Sequence, residues 1–205
     1  MLKNILATIG GVIVVGFIIA FITFDLGTRI SQVKKLDPGA IPAYMSMFDT
    51  VLTKGDPAQG MMLEWEITDA ELTEEDIFDE MKELAGEYNM RFVGEKNMFR
   101  LTEAENPTAD KIVHSRIAEF CSLSIAKKML NHSRFYGGFM PCRVIYVEYG
   151  DGRRFLISMD MTLAIYGGSS VKPIGPELLE DMLNVKKAME EIPAIAAGYD
   201  VEEEE

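Results

Sequence analysis

Two cysteines, Cys121 and Cys142, and two histidines, His114 and His132, are the residues whose types point most directly to chemistry. The cysteines stand 21 positions apart (142 − 121). Cys121 ends a predicted strand just before Ser122, which suits the cap of a following helix. Backbone amides and the helix dipole at such a place lower a thiol pKa and favour thiolate. Cys142 follows Pro141 at the start of a later predicted strand. If the two strands are neighbours, the sulfurs meet, and a bridge closing a loop of this length stabilises by roughly 3 kcal/mol. Two readings stay open. One is a structural pair, oxidised or reduced, because free cysteine is among the most buried residue types and usually packs. The other is a reactive or ligand-binding pair, with Ser122, Pro141 and Gly137 lining the site.

Other chemistries find less support. No Cys-x-x-Cys occurs, so zinc-ribbon, thioredoxin-type and c-type haem motifs are absent. The histidines stand outside any ligand-spaced motif, so no metal site is expected, and no cofactor is named by the sequence. The 14 methionines, Met140 and Met161 among them, read as fillers of core gaps. Gly167-Gly168-Ser169-Ser170 lacks the lysine and spacing of a phosphate-binding loop and reads as a turn. No Ser-His-Asp or paired-carboxylate signature stands out.

The elements that must position these residues follow from periodicity. Met62–Thr68 alternates apolar and charged residues as a half-buried strand does. Thr73 caps a helix whose first turn holds Glu74, Glu75 and Asp76, with Ile77, Met81, Leu84, Ala85 and Tyr88 as its buried stripe. Short strands are predicted at Met90–Val93 and Phe99–Leu101, with a polar loop around Asn106-Pro107. A longer strand over Lys111–Phe120 runs into Cys121. The helix after Ser122 runs through Leu130, turning Ala126, Met129 and Leu130 inward. Arg143–Tyr149 and Arg154–Met159 flank Gly150-Asp151-Gly152 and form a hairpin. A short helix follows over Met161–Tyr166. Gly175-Pro176 opens a last helix, with Leu179, Met182, Leu183, Lys186 and Met189 along one face and Pro193 as its stop. A central hairpin with short connections implies an α+β two-layer sandwich, a mostly antiparallel sheet with helices packed on one face.

One N-terminal transmembrane helix is expected to precede this sandwich. Residues 4–24 carry no charge, and twenty helical residues rise about 30 Å, the thickness of the hydrocarbon core. No small-x-small cleavage site follows. The chain therefore divides into an anchor over 1–24 and a linker over 25–60. In the linker, Tyr44, Met47, Phe48, Val51 and Leu52 mark a short amphipathic helix. The α+β domain spans 61–198 and an acidic tail 199–205. Basic residues flank both ends of the anchor, but its place at the chain start resembles a signal-anchor, which puts the C-terminal domain on the periplasmic side. Residues 56–205 hold 30 acids and 15 bases, a net −15. Such a surface repels phosphate backbones, and nucleic acid is not an expected partner. The lipid bilayer, contacted through residues 4–24, is one. Ala7/Gly11 and Gly16/Ala20 have spacing that lets two helices approach, so a homodimer or a membrane-protein partner stays open.

Cys121, Leu130, Gly137 and Pro141-Cys142, followed by a β-rich strand, resemble the signature of the domain of unknown function 302 family. The likeness covers most of residues 60–195, the opening strand and helix (Met62–Tyr88) and the closing helix included. The family often has Asn-Pro after the first cysteine, and Ser122-Leu123 stand here. The resemblance implies a compact α+β fold, often dimeric, and no established activity. Around Tyr44–Gly60 and Tyr166-Gly167-Gly168 it is similar to a membrane-anchored branch resembling proteins of sulfur-oxidising bacteria. These readings together predict a membrane-anchored accessory or binding module linked to redox or sulfur metabolism. A thiol-based redox or sulfur-carrier protein using Cys121 and Cys142, and a structural subunit of a membrane complex, are the alternatives.

Overall fold

The computed structural model describes residues 2–101, 108–166 and 172–201, with the backbone alone for Leu2 and residues 4–8. The loop around Asn106-Pro107, the Gly167-Gly168-Ser169-Ser170 turn and the glutamates that close the chain lie outside the described residues. Helix α1 (Leu2–Thr23) leads into α2 (Leu26–Val33). Asp25 separates them in a left-handed conformation (φ 48°), which an L-residue other than glycine adopts at a cost and which breaks the helical ladder. The Arg29 Nε donates to Phe24 O at 2.9 Å and closes the end of α1. Among the described residues no single helix is long and apolar enough to cross a membrane. Ile9–Thr23 and Leu26–Val33 reach that length and composition together, bent by 64°.

Helix α3 (Ala40–Lys54) is the expected linker helix. It docks through Ala40 and Ala43, both buried, close to α6 (Thr162–Tyr166). The approach is tight, because a Cβ added to Gly39 would lie 2.6 Å from the Tyr166 ring. Of the five residues that announced the helix, Met47 and Val51 are partly covered while Tyr44, Phe48 and Leu52 face outward.

The domain proper is a five-stranded sheet in the order β1-β5-β4-β3-β2, antiparallel throughout. Its strands are β1 (Met62–Glu66), β2 (Arg91–Arg100), β3 (Ile112–Cys121), β4 (Cys142–Tyr149) and β5 (Arg154–Met159). Helices α4 (Glu74–Glu87) and α7 (Pro176–Ala196) cover one face. The core between the layers joins Ile77, Phe78 and Met81 of α4 to Met182, Val185 and Ile192 of α7, over Phe120, Val144, Tyr146 and Leu156 of the sheet. The expected α+β arrangement is therefore the observed one. Helix α4 starts where the sequence places it. Asp76 N donates to Thr73 Oγ1 at 3.2 Å and Thr73 N to Asp76 Oδ2 at 3.0 Å, a reciprocal cap that satisfies two otherwise orphaned amides. At the β4–β5 turn Gly152 has φ 88°, a conformation cheap only for glycine.

Three local expectations need correction. The two short strands at 90–93 and 99–101 are one edge strand, β2, broken in register at Phe92/Gly94 and Asn97/Phe99. Its polar middle, Gly94–Asn97, belongs to an exposed edge where apolar alternation is not required. Leu130 does not enter the core. Helix α5 (Leu123–His132) buries Met129, whereas Leu130 stays 43% exposed and lies against Gly137, 3.1 Å from where a Cβ would stand. Pro193 does not stop α7 but sits buried inside it, three residues before its end. Proline forfeits one amide bond there, and burial among apolar neighbours offsets that loss.

Candidate functional site

Strands β3 and β4 are neighbours, as the two-cysteine reading requires, and Phe120 pairs directly with Cys142. Cys121 lies one residue beyond that pair. Successive strand residues point to opposite faces, so the diagonal relation does not aim one sulfur at the other. Both cysteines are free thiols. An oxidised pair is thereby corrected to two separate thiols in adjacent strands. Neither is activated. Burial pushes the Cys121 thiol up, against the lowering expected from its place before α5. Burial, and then the nearby Cys121, push Cys142 to about 11. At neutral pH both carry their protons.

The flanking candidates part company. Ser122 occupies the cap position of α5 and is buried, but its side chain makes no cap bond to that helix and lies 3.4 Å from Ser124 Oγ. Gly137 belongs to a 3-10 turn (Arg134–Phe139) between α5 and β4, where its lack of a side chain admits Leu130. Pro141, joined to Met140 by a cis peptide bond, sits beside Cys142. Of the five, Pro141 and Cys142 border a cavity of about 210 Å³ at the end of the sheet where β4 begins and β5 finishes, and Ser122 lines a separate one with Asn89 and Ser124.

The cavity beside Cys142 is soft and mostly apolar. Met62, Met159, Met161 and Met189 bring thioethers to it from β1, β5, the β5–α6 connection and α7, and Phe139 closes one side. The 3-10 turn that carries Phe139 is held in place by Tyr136, whose hydroxyl donates to Ala164 O at 3.1 Å. Two polar residues interrupt the lining: Arg143 of β4, which is exposed, and Ser158 of β5. Ser158 is 2% exposed, and its Oγ has no hydrogen-bond partner. An unpaired buried hydroxyl costs about 1–3 kcal/mol, and a hydrogen-bonding atom brought to Ser158 would recover part of that cost. Sequence reasoning missed Ser158 and the methionine lining. A serine between Ile157 and Met159 in a strand was the available signal.

The histidines serve elsewhere. His114, fully buried on β3, lies with Nδ1 2.8 Å from Phe99 O and Nε2 3.0 Å from Glu74 Oε1. Arg116 joins the cluster, donating to Glu74 and Glu75 at 3.0 Å each and to Glu95 at 2.8 Å, with its guanidinium 4.0 Å over the Phe78 ring. Burial alone would raise the Glu74 pKa, but hydrogen bonds with His114 and Arg116, and the positive charge of Arg100 nearby, outweigh it and hold the carboxyl below its ordinary value. His132 ends α5 beside the Tyr136 ring. Among the described residues no group of three or more His, Cys, Asp or Glu side chains is placed to hold a metal ion.

Comparison with known proteins gives a family. The profile of the family described as Domain of unknown function DUF302 matches residues 68–192. The crystal structure of an uncharacterized conserved DUF302 protein from Bacillus stearothermophilus is similar at 14% sequence identity, with a TM-score of 0.45, over 65% of this chain and 95% of that one. No curated protein matches the chain.

Proposed function

The chain belongs to the DUF302 family, and from that premise we propose that it is a non-catalytic, membrane-anchored binding module whose cavity beside Cys142 takes a small neutral ligand. The observation that carries the reading is the unpaired Ser158 hydroxyl in a wall made mostly of thioethers and hydrocarbon, with Arg143 exposed beside them. The ligand class follows from that wall: uncharged, largely apolar, and bearing one hydrogen-bonding atom. A cavity of 210 Å³ is smaller than the ~300–1,000 Å³ of typical ligand pockets, so the molecule is small. Protonated thiols argue against the thiol-redox alternative, since thiolate is the nucleophile.

The anchor is part of the proposal. The uncharged stretch of residues 4–24 and the exposed apolar side chains of α1 support it, and a domain on the periplasmic side belongs to the same proposal. Membership of a membrane-anchored branch resembling proteins of sulfur-oxidising bacteria fits the same picture, with soft sulfur-rich lining as its support. Carbonate extraction of cell membranes tests the anchor, and a reporter fused after Glu205 tests the side.

The ligand reading is tested with two probes, benzyl alcohol and toluene, which differ by one hydrogen-bonding group. Thermal denaturation of the full chain in each should show stabilisation by both, tighter for the alcohol by about 3–10-fold. Ser158→Ala should erase that preference and keep toluene binding. Absence of saturable stabilisation by either probe would mean that the cavity is a packing defect.

A further inference from the structure

Helix α3 carries two apolar stripes, and only one of them is used. At 100° per residue, Ala40, Ala43, Met47 and Val51 form the docked stripe. Ile41, Tyr44, Met45, Phe48 and Leu52 project within a neighbouring sector of roughly 100°. All five are exposed, from 41% at Tyr44 to 66% at Leu52. Scattered surface hydrophobes need no explanation, but five large ones in one helical stripe form a contiguous patch of the kind that marks a contact. Helix α2 repeats the pattern on a smaller scale, with Leu26, Ile30 and Val33 exposed on one side.

Continuity and charge identify the occupant. The stripe follows closely on α1, whose side chains from Val12 to Ile19 include seven exposed large apolar residues. Residues 25–55 hold four bases (Arg29, Lys34, Lys35, Lys54) and three acids (Asp25, Asp37, Asp49), a net +1, against −15 for the residues that follow. An anionic headgroup layer repels the acidic domain and tolerates α3. We propose that α3 lies in the bilayer interface, its Ile41–Leu52 stripe sunk about 5–10 Å into the headgroup–acyl boundary, and so seats the domain on the membrane surface. The inference rests on the reading of α1 as an anchor, which the test scores separately.

The full chain is reconstituted into vesicles of phosphatidylcholine and phosphatidylglycerol, with bromines at shallow or deep acyl positions. Emission added by Phe48→Trp should fall by about half with shallow bromines and less with deep ones. Ile18→Trp in α1 should respond most to deep bromines, and Lys127→Trp on the domain surface to neither. Quenching of Ile18→Trp with Phe48→Trp no more quenched than Lys127→Trp keeps the anchor and overturns the interfacial helix. A blue-shifted but unquenched Phe48→Trp assigns the stripe to a second copy or a protein partner, and overturns it likewise. Shallow quenching at Phe48→Trp without quenching at Ile18→Trp upholds the α3 contact and removes the span. Quenching at neither position removes both.

Discussion

The two ends of the sheet treat buried polarity in opposite ways. Where β3 begins and β4 finishes, each polar group of the Glu74–His114–Arg116 cluster meets a partner, and Tyr146 donates to Glu148 at 3.4 Å. Where β4 begins and β5 finishes, thioethers and a protonated thiol surround a hydroxyl with nothing to bond. A buried network that is fully satisfied fixes one arrangement of α4 on the sheet, and its failure is costly. An unsatisfied group costs stability in the empty protein, and that cost is recovered only on binding. On the proposed reading, the contrast separates a structural polar site, which holds His114 and most of the charge, from a receptive one, where Arg143 is the charged neighbour.

The largest effect expected on breaking this contrast is at Arg116. Arg116→Ala leaves Glu74 and Glu95 without their shared guanidinium and should cost about 3–5 kcal/mol, measured as a shifted urea midpoint. A loss under 1 kcal/mol would show that the cluster is solvated. Glu74 comes next: Glu74→Gln removes charge-assisted bonds worth about 2 kcal/mol. Its carboxyl is depressed in the folded state, so the stability it contributes is full above pH 4.5 and disappears as pH falls through the lower folded value. The Gln variant should therefore show a flatter acid limb than the parent. At the receptive end the sign reverses. Ser158→Ala should stabilise the empty protein by up to about 1 kcal/mol, because an unpaired hydroxyl is removed. Destabilisation would mean that the hydroxyl is bonded in solution. The smallest effect is a coupling: Cys121→Ala and Cys142→Ala should add to within about 0.5 kcal/mol, as independent groups do, whereas a bridge would make the double variant no worse than either single.

The structural end was partly legible in the sequence. The Thr73 cap and the acids after it announced where α4 begins, because capping is local chemistry written in adjacent residues. The hairpin at Gly150-Asp151-Gly152 was legible for the same reason. His114 and Arg116 were not recognisable as partners of Glu74, which lies about 40 positions earlier, since only the packing of α4 across the sheet brings them together. The receptive end was half legible. Pro141-Cys142 fall at the edge of the cavity, but the cysteine pairing failed on the alternation of side chains across a strand, which depends on a one-residue register. Ser158 reads in sequence like any strand serine, and its isolation exists only in three dimensions. The amphipathic helix at 40–54 was placed correctly, yet periodicity alone merged its docked and uncovered stripes.

The bulges of β2 have a bearing on how copies of the chain tolerate one another. A sheet edge is a row of free amides and carbonyls on which another strand can grow. Here one edge is interrupted twice, at Phe92/Gly94 and Asn97/Phe99, and carries Arg91, Glu95, Lys96 and Arg100. The other, β1, is five residues long and bears Glu64 and Glu66 on one face. Neither offers a straight uncharged template. Sheets from crowded copies should not fuse into fibrils, and straightening β2 by removing its bulges and charges should be the shortest mutational path to aggregation.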